Sequence, residues 1–154
     1  MSDDARDLIP TGRVLGLDVG DATFGVAVSD DTWLIASSVK TLRRSKRLAD
    51  DLVVLRALVA EHEVTRLVVG IPRRLDGRAT EQTRKTERTA EALQAGLGLP
   101  VEQEDETWTT AAARRTLTDA GARNQKRSGA LDQMAAALIL QMWLDRRRAR
   151  APGA

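Results

Sequence analysis

Four carboxylates occupy positions in the chain where an acid could take part in chemistry. Asp18 ends an apolar run, Asp105 and Glu106 follow a second extended segment, and Asp132 lies in an apolar helical stretch. Oxygen ligands of this kind suit Mg²⁺ or Mn²⁺ better than Zn²⁺. Two such ions can activate water and stabilise the leaving oxygen of a phosphodiester, which is a chemistry that needs neither histidine nor cysteine.

Three of these acids also have a purely structural interpretation, which the residues alone leave open. Asp18 precedes Gly20 and could simply form a turn. Asp105 and Glu106 could complement the dipole of the helix predicted after them. Placed at the end of a strand, however, Asp18 would point into whatever crevice the sheet forms there.

The residues that follow Asp132 form an apolar pattern that is not expected beside an acid on a helix surface. Ala135, Ala136 and Ile139 follow it at positions three, four and seven, which predicts that Asp132 lies on the sheet-facing side of its helix. An inward carboxylate is costly unless something neutralises it, although the helix dipole remains the simpler explanation. A divalent cation held jointly with Asp18 would neutralise it.

The composition narrows the class of protein. The chain of 154 residues is 42% hydrophobic and 30% charged, which is typical of one globular domain. It has no cysteine and a single histidine, His62, so thiolate zinc sites and cysteine nucleophiles are excluded. No apolar run is long enough to span a membrane, and the acidic start is unlike a secretory signal. We therefore expect a cytoplasmic protein.

Basic residues cluster although the net charge is only +2. Clustered Lys and Arg fit a surface that binds nucleic acid, and also fit solvated helix faces. The basic run from Arg146 to Arg148 is expected to begin a flexible tail. The residues expected to lie in loops and to contact phosphates are Arg73, Arg74, Arg78, Lys126 and Arg127.

The hydrophobic pattern predicts elements in the order βββαβαβαα. Strands are expected over 13–19, 24–29, 33–39, 66–71 and 100–104, and helices over 45–62, 80–97, 109–120 and 130–148. The first three strands should form an antiparallel meander, to which βα units add parallel strands, giving a mixed five-stranded α/β sheet with helices on both faces. Residues 1–12 are expected to be a flexible lead, 13–148 the domain and 149–154 a flexible tail.

Four motifs together resemble the YqgF/RuvX family of Holliday-junction resolvases. They are residues 17–20 (LDVG) with 25–30 (GVAVSD), 68–72 (VVGIP) with 76–77 (DG), 105–110 (DETWTT) and 131–136 (LDQMAA). Their order and spacing match the family over roughly residues 13–145.

The resemblance implies a ribonuclease-H-like fold and a metal-dependent nuclease. Its expected substrates are the 5′ end of pre-16S rRNA, Holliday-junction DNA or both, with the protein acting as a monomer or a homodimer. It makes Asp18, Glu106 and Asp132 the metal-binding carboxylates, with Asp105 as neighbour or substitute. The related RuvC resolvases take their second carboxylate from the fourth strand, which has no acid here, so the pair after the fifth strand must substitute.

The chain departs from the family pattern at basic positions, which leaves alternatives open. Ala22 and Thr23 replace a Lys-Arg pair, Thr107 replaces an Arg, and Gln133 replaces a Lys. These losses support a non-catalytic, RNA-binding ribosome-assembly factor as the alternative function. A sugar-kinase-like phosphoryl transferase shares the opening Asp-x-Gly pattern, but it needs a second domain for which the chain is too short.

Overall fold

The computed structural model describes residues 9–106 and 125–150, with side chains described for 9–106 and 134–149. Five strands form one sheet in the spatial order β3-β2-β1-β4-β5. Strands β1 to β3 are antiparallel neighbours, while β4 and β5 run parallel to β1. The predicted mixed five-stranded sheet is therefore confirmed. The strands are β1 (Arg13–Val19), β2 (Thr23–Ser29), β3 (Ala36–Arg43), β4 (Val64–Ile71) and β5 (Val101–Asp105).

Three described helices cover the two faces of the sheet. They are α1 (Leu48–Glu61), α2 (Glu81–Leu97) and α3 (Gln125–Arg150). Helix α2 begins within one residue of its predicted start, and its N-cap Thr80 forms a reciprocal capping box with Thr83. It ends at Gly98, whose positive φ of 68° closes the helix in the left-handed conformation that glycine tolerates. Within the described residues, no helix is long and apolar enough to cross a membrane.

Alternation along the strands divides the core into two clusters. Leu15, Leu17 and Val19 of β1 point to one face and pack with α1 and α2. Val14 of β1 and Val68 of β4 point to the other face and pack against α3. Strand β1 is buried on both sides, which explains why its sequence reads as a continuous apolar run. Asp18 is thus placed inside the protein by its strand.

The predicted third strand over 33–39 was wrong in its bounds, because the segment opens with a turn. The Asp30 carboxylate accepts hydrogen bonds from the backbone N–H groups of Leu34 and Ile35. Trp33 has a φ of 58° and donates its backbone N–H to the Asp30 carbonyl. Strand β3 can begin only after this turn, at Ala36, and it continues to Arg43.

The start of α1 also differs from the helix predicted over 45–62. The helix begins at Leu48, and Arg47 makes no side-chain capping bond. Ser45 instead donates its hydroxyl to the Arg47 carbonyl and its backbone N–H to the Asp51 carboxylate, 2.9 Å away. Asp51, from the first turn of the helix, therefore binds the preceding loop.

The last helix begins earlier than predicted. Helix α3 includes residues 125–129, which were predicted to form a polar loop. Gln, Lys and Arg all favour helix, and they outweigh the single Gly129. Lys126 and Arg127 therefore belong to the helix and not to a loop. Asp132 lies two turns after the start of the helix. The helix predicted over 109–120 lies outside the described residues.

Candidate functional site

The candidate site lies at one edge of the sheet. Because β1, β4 and β5 are mutually parallel, their carboxyl ends meet at the same edge. Asp18 is the penultimate residue of β1, Glu106 directly follows β5, and the basic loop over 72–80 follows β4. The topology therefore gathers acids and arginines that lie far apart in the sequence.

Asp18 is buried, with 3% of its surface exposed. Its neighbours Leu17 and Val19 belong to the core cluster under α1 and α2, so alternation directs Asp18 to the α3 face. Gly16 confirms this geometry, because a Cβ built on it would lie 2.7 Å from the Cβ of Leu140 in α3.

Glu106 reaches the same face from the other side of β4. Its backbone N–H extends the ladder by donating to the Ile71 carbonyl at 3.2 Å, and its side chain is fully buried. A Cβ built on Gly70 would lie 2.8 Å from Glu106 Oε2 and 2.5 Å from Ile139 Cδ1. The Glu106 carboxylate thus occupies space over β4 that only glycine leaves open.

This placement brings Glu106 towards Asp18. Leu17 pairs with Val69, so Asp18 and Gly70 come next on their neighbouring strands. Adjacent strands lie about 4.8 Å apart. A carboxylate above Gly70 is therefore about one strand spacing from β1, on the face to which Asp18 points. The structure also explains why β4 carries no acid: the acid of the next strand fills its place.

Asp105 points away from this site. It precedes Glu106 by one residue and therefore lies on the opposite face of the strand. Its side chain is 47% exposed, and its Oδ2 lies 3.9 Å from Arg73 Nε. The two adjacent acids, which the residues alone did not distinguish, thus differ in position: Glu106 lies on the face to which Asp18 points, and Asp105 lies near a loop arginine.

A third buried acid, Glu104, was missed by sequence reasoning. It shares the face of Glu106, is 2% exposed, and forms an ion pair with Arg146 of α3. The two-residue spacing from Glu106 was the available signal. The expectation that a flexible tail begins at Arg146 was wrong, because the helix continues and Arg146 is held by this buried partner. Arg147 also stacks over Trp143, 4.6 Å from the ring centroid.

The loop after β4 presents the predicted arginines at the site edge. Arg74 and Arg78 flank Asp76, with side-chain N···O distances of 3.3 and 3.7 Å. Gly77 closes the turn with a φ of 86° and donates its N–H to the Arg74 carbonyl. Shared pairing with Asp76 orders the loop, while both arginines remain largely exposed.

The described part of the site suits a hard cation. Asp18 and Glu106 supply two buried carboxylates on one face, the donor chemistry that Mg²⁺ and Mn²⁺ prefer. Among the described residues no group of three or more potential metal ligands occurs. Asp132, the third predicted ligand, lies on α3, and its side chain lies outside the described part, as do those of Lys126 and Arg127.

Curated relatives cover most of the chain. It is 43% identical to a protein of Myxococcus xanthus over 88% of this chain and 89% of that protein. It is 45% identical to one of Zymomonas mobilis, over 87% and 81%, and 42% identical to one of Clostridioides difficile, over 87% and 94%. All three carry the provisional name of pre-16S rRNA nuclease.

Solved structures show the same fold. The RuvC of T. thermophilus, solved in complex with a Holliday-junction substrate, superposes with a TM-score of 0.53 at 15% identity. The match covers 90% of this chain and 96% of RuvC, which confirms the predicted ribonuclease-H-like fold. A family model described as "RuvX: Holliday junction resolvase" matches residues 12–146. The chain therefore belongs to the RuvX family.

Proposed function

We propose that the protein is a metal-dependent nuclease that hydrolyses phosphodiester bonds in structured nucleic acid. The observation that carries the proposal is the buried Glu106 carboxylate, which lies over Gly70 on the face to which Asp18 points. The names of the relatives favour the 5′ end of pre-16S rRNA as substrate, and the family description adds Holliday-junction DNA. A protein that acts on either substrate would work in the cytoplasm.

The acidic centre would be formed by three elements of the fold. Asp18 from β1 and Glu106 after β5 would hold Mg²⁺ or Mn²⁺, and Asp132 from α3 would complete the set of ligands. When bound, the ion supplies an activated water and neutralises charge on the leaving oxygen. Two carboxylates close together repel each other, and a shared cation offsets that repulsion. The fold thus creates a site whose charge favours binding of a divalent cation.

The arginines would position the nucleic-acid backbone at this centre. Arg74 and Arg78 are exposed on the loop after β4, and Arg73 is tethered to Asp105. Arginine can grip a phosphate with two parallel hydrogen bonds. Contacts of this kind fix the position of the backbone without reading sequence. Lys126 and Arg127 on α3 would add two further phosphate contacts.

The test is cleavage of two labelled substrates, a pre-16S rRNA fragment and a four-way DNA junction. Each is incubated with Mg²⁺, Mn²⁺ or EDTA. Asp18→Asn and Glu106→Gln should abolish cleavage, because each removes a ligand charge with little change in shape. Asp105→Asn is the matched control: it removes the adjacent charge on the opposite face and should retain most of the activity. Equal loss in Asp105→Asn and Glu106→Gln would refute the assignment of the acids.

The alternative is an RNA-binding ribosome-assembly factor that keeps the fold without catalysis. The observation in its favour is the absence of charge at Ala22, in the turn between β1 and β2, and at Thr23, the first residue of β2. This alternative predicts salt-dependent RNA binding by the wild type with no cleavage in either metal. The wild-type arms of the same assay therefore separate the two functions.

A further inference from the structure

A basic cavity lies beside the same sheet edge, on the face opposite to the acids. Its volume is about 330 Å³, and it is formed between the β1–β2 turn, the end of β3, the start of α1 and α2. Val19, which contributes to its wall, follows Asp18 directly but belongs to the core cluster under α1 and α2. The cavity is thus distinct from the acidic centre and adjoins it along the edge of the sheet.

Arg44 is held in place at one side of this cavity. Its Nη1 donates to the Gly20 carbonyl at 2.8 Å, and its backbone N–H donates to the Ala22 carbonyl at 2.9 Å. Its guanidinium lies over the Phe24 ring, 4.6 Å from the centroid. A guanidinium has five N–H donors, of which Gly20 takes one. Because its geometry is already fixed, Arg44 would lose little entropy on binding an anion.

Helix α2 supplies the other side of the cavity. Lys85 and Arg88 add two positive charges, and the acid in the lining is Asp21. Arg88 is only loosely paired with Glu81, at 3.6 Å. Thr86, also in the lining, is fully buried, and its hydroxyl has no hydrogen-bond partner among the described residues. Such a hydroxyl is costly to leave unsatisfied, so a ligand oxygen that reached it from the cavity would relieve that cost.

We propose that this cavity binds a phosphate of the nucleic-acid backbone, with Arg44, Lys85 and Arg88 as its ligands. This inference rests on the proposed function and adds a second contact point to it. Three cations against one acid favour an anion. The Cα atoms of Val19 and Asp18 are only about 3.8 Å apart, so a strand bound here would need only to cross the sheet edge to reach the acids. The cavity would thereby fix which bond reaches the acidic centre.

The test measures binding without cleavage, using a labelled single-stranded RNA oligonucleotide in EDTA. Lys85→Gln/Arg88→Gln should weaken binding about tenfold and lower the slope of log affinity against log salt by about 0.7, the value for one phosphate. Arg84→Gln is the matched control: it removes a charge from the same helix and also pairs with Glu81, but does not line the cavity. It should change affinity less than about twofold.

Thr86→Val separates ligand binding from structural support. The substitution keeps the shape of the side chain and removes the hydroxyl, so the melting temperature should not fall. Affinity for the RNA should nevertheless drop about fivefold if the hydroxyl binds the phosphate. Wild-type affinity in both the double variant and Thr86→Val would overturn the inference.

The two proposals fail in different ways. RNA binding in EDTA does not depend on cleavage, so loss of binding in the cavity variants supports the phosphate site even if the wild type cuts no substrate. Absence of cleavage by the wild type would refute only the proposed nuclease activity. Conversely, metal-dependent cleavage together with cavity variants that bind like Arg84→Gln would refute the phosphate site and leave the nuclease standing.

Discussion

Adding a single methyl group at Gly70 should lower the rate of catalysis far more than it lowers stability. In Gly70→Ala, the new Cβ would lie 2.8 Å from Glu106 Oε2 and 2.5 Å from Ile139 Cδ1. Ordinary contact begins near 3.4 Å, so the carboxylate must retreat by about 0.6 Å and the Ile139 methyl by about 0.9 Å. Both atoms are the ends of flexible side chains and can move, but both side chains are fully buried, so they move against closely packed neighbours.

Two effects of different size follow from these shifts. Overpacking a core by one methyl group typically costs about 1–3 kcal/mol of stability. A catalytic group must be held to within about 0.5 Å, and a shift of about 1 Å can reduce the rate about a hundredfold. We therefore expect Gly70→Ala to lower kcat about 10- to 100-fold, with KM nearly unchanged because the loop arginines are untouched.

Gly16→Ala provides the matched control for this experiment. Its new Cβ would lie 2.7 Å from Leu140 Cβ and 3.2 Å from the Ala136 carbonyl oxygen, so it crowds the same helix without touching a described carboxylate. Both variants are compared by urea denaturation, and cleavage is assayed at a temperature where both stay folded. Equal cleavage rates in the two folded variants would refute the role of Gly70 in positioning Glu106.

Two further predictions concern charged groups outside the acidic centre. Arg146→Met removes an ion-pair partner of the buried Glu104 and should cost about 1–3 kcal/mol in urea denaturation, less than for a fully buried pair because half of the Arg146 side chain is exposed. Arg148→Met, from an exposed pair, should cost under about 0.5 kcal/mol. The hydrogen bond from the Thr32 hydroxyl, aided by backbone N–H groups, holds the pKa of Asp30 below its ordinary value of 3.8. This stabilisation is present above that value and is lost as pH falls through the folded-state pKa, so the stability deficit of Asp30→Asn at pH 7 should shrink below about pH 4.

The sheet was predictable because its pattern is local. Apolar runs defined β1, β2 and β4, and the order of elements defined which strands are antiparallel and which are parallel. The family resemblance grouped Asp18 and Glu106, and the element order is consistent with it, since parallel strands share their carboxyl edge. Fold and site edge thus needed no knowledge of side-chain contacts.

The observed elements differ from the predicted ones where a side chain contacts the backbone or a side chain of a residue outside its own element. Asp30 bonds the backbone four and five residues ahead and thereby delays the start of β3. Glu104 holds Arg146, forty-two residues later, against the sheet. Neither contact leaves a periodic signal in the sequence. The local pattern therefore predicted the wrong bounds for β3 and a flexible tail from Arg146.

The same limit explains why the sequence left Asp105 and Glu106 unresolved. The sequence shows a fourth strand without an acid and two adjacent acids at the end of the fifth strand, as two separate facts. The structure gives both facts one cause, since the Glu106 side chain fills the space above Gly70. A carboxylate from β5 can reach over β4 only when β4 has no side chain there. Gly70 of β4 and Glu106 after β5 therefore depend on each other: a side chain at residue 70 should displace the carboxylate that substitution of Glu106 would remove.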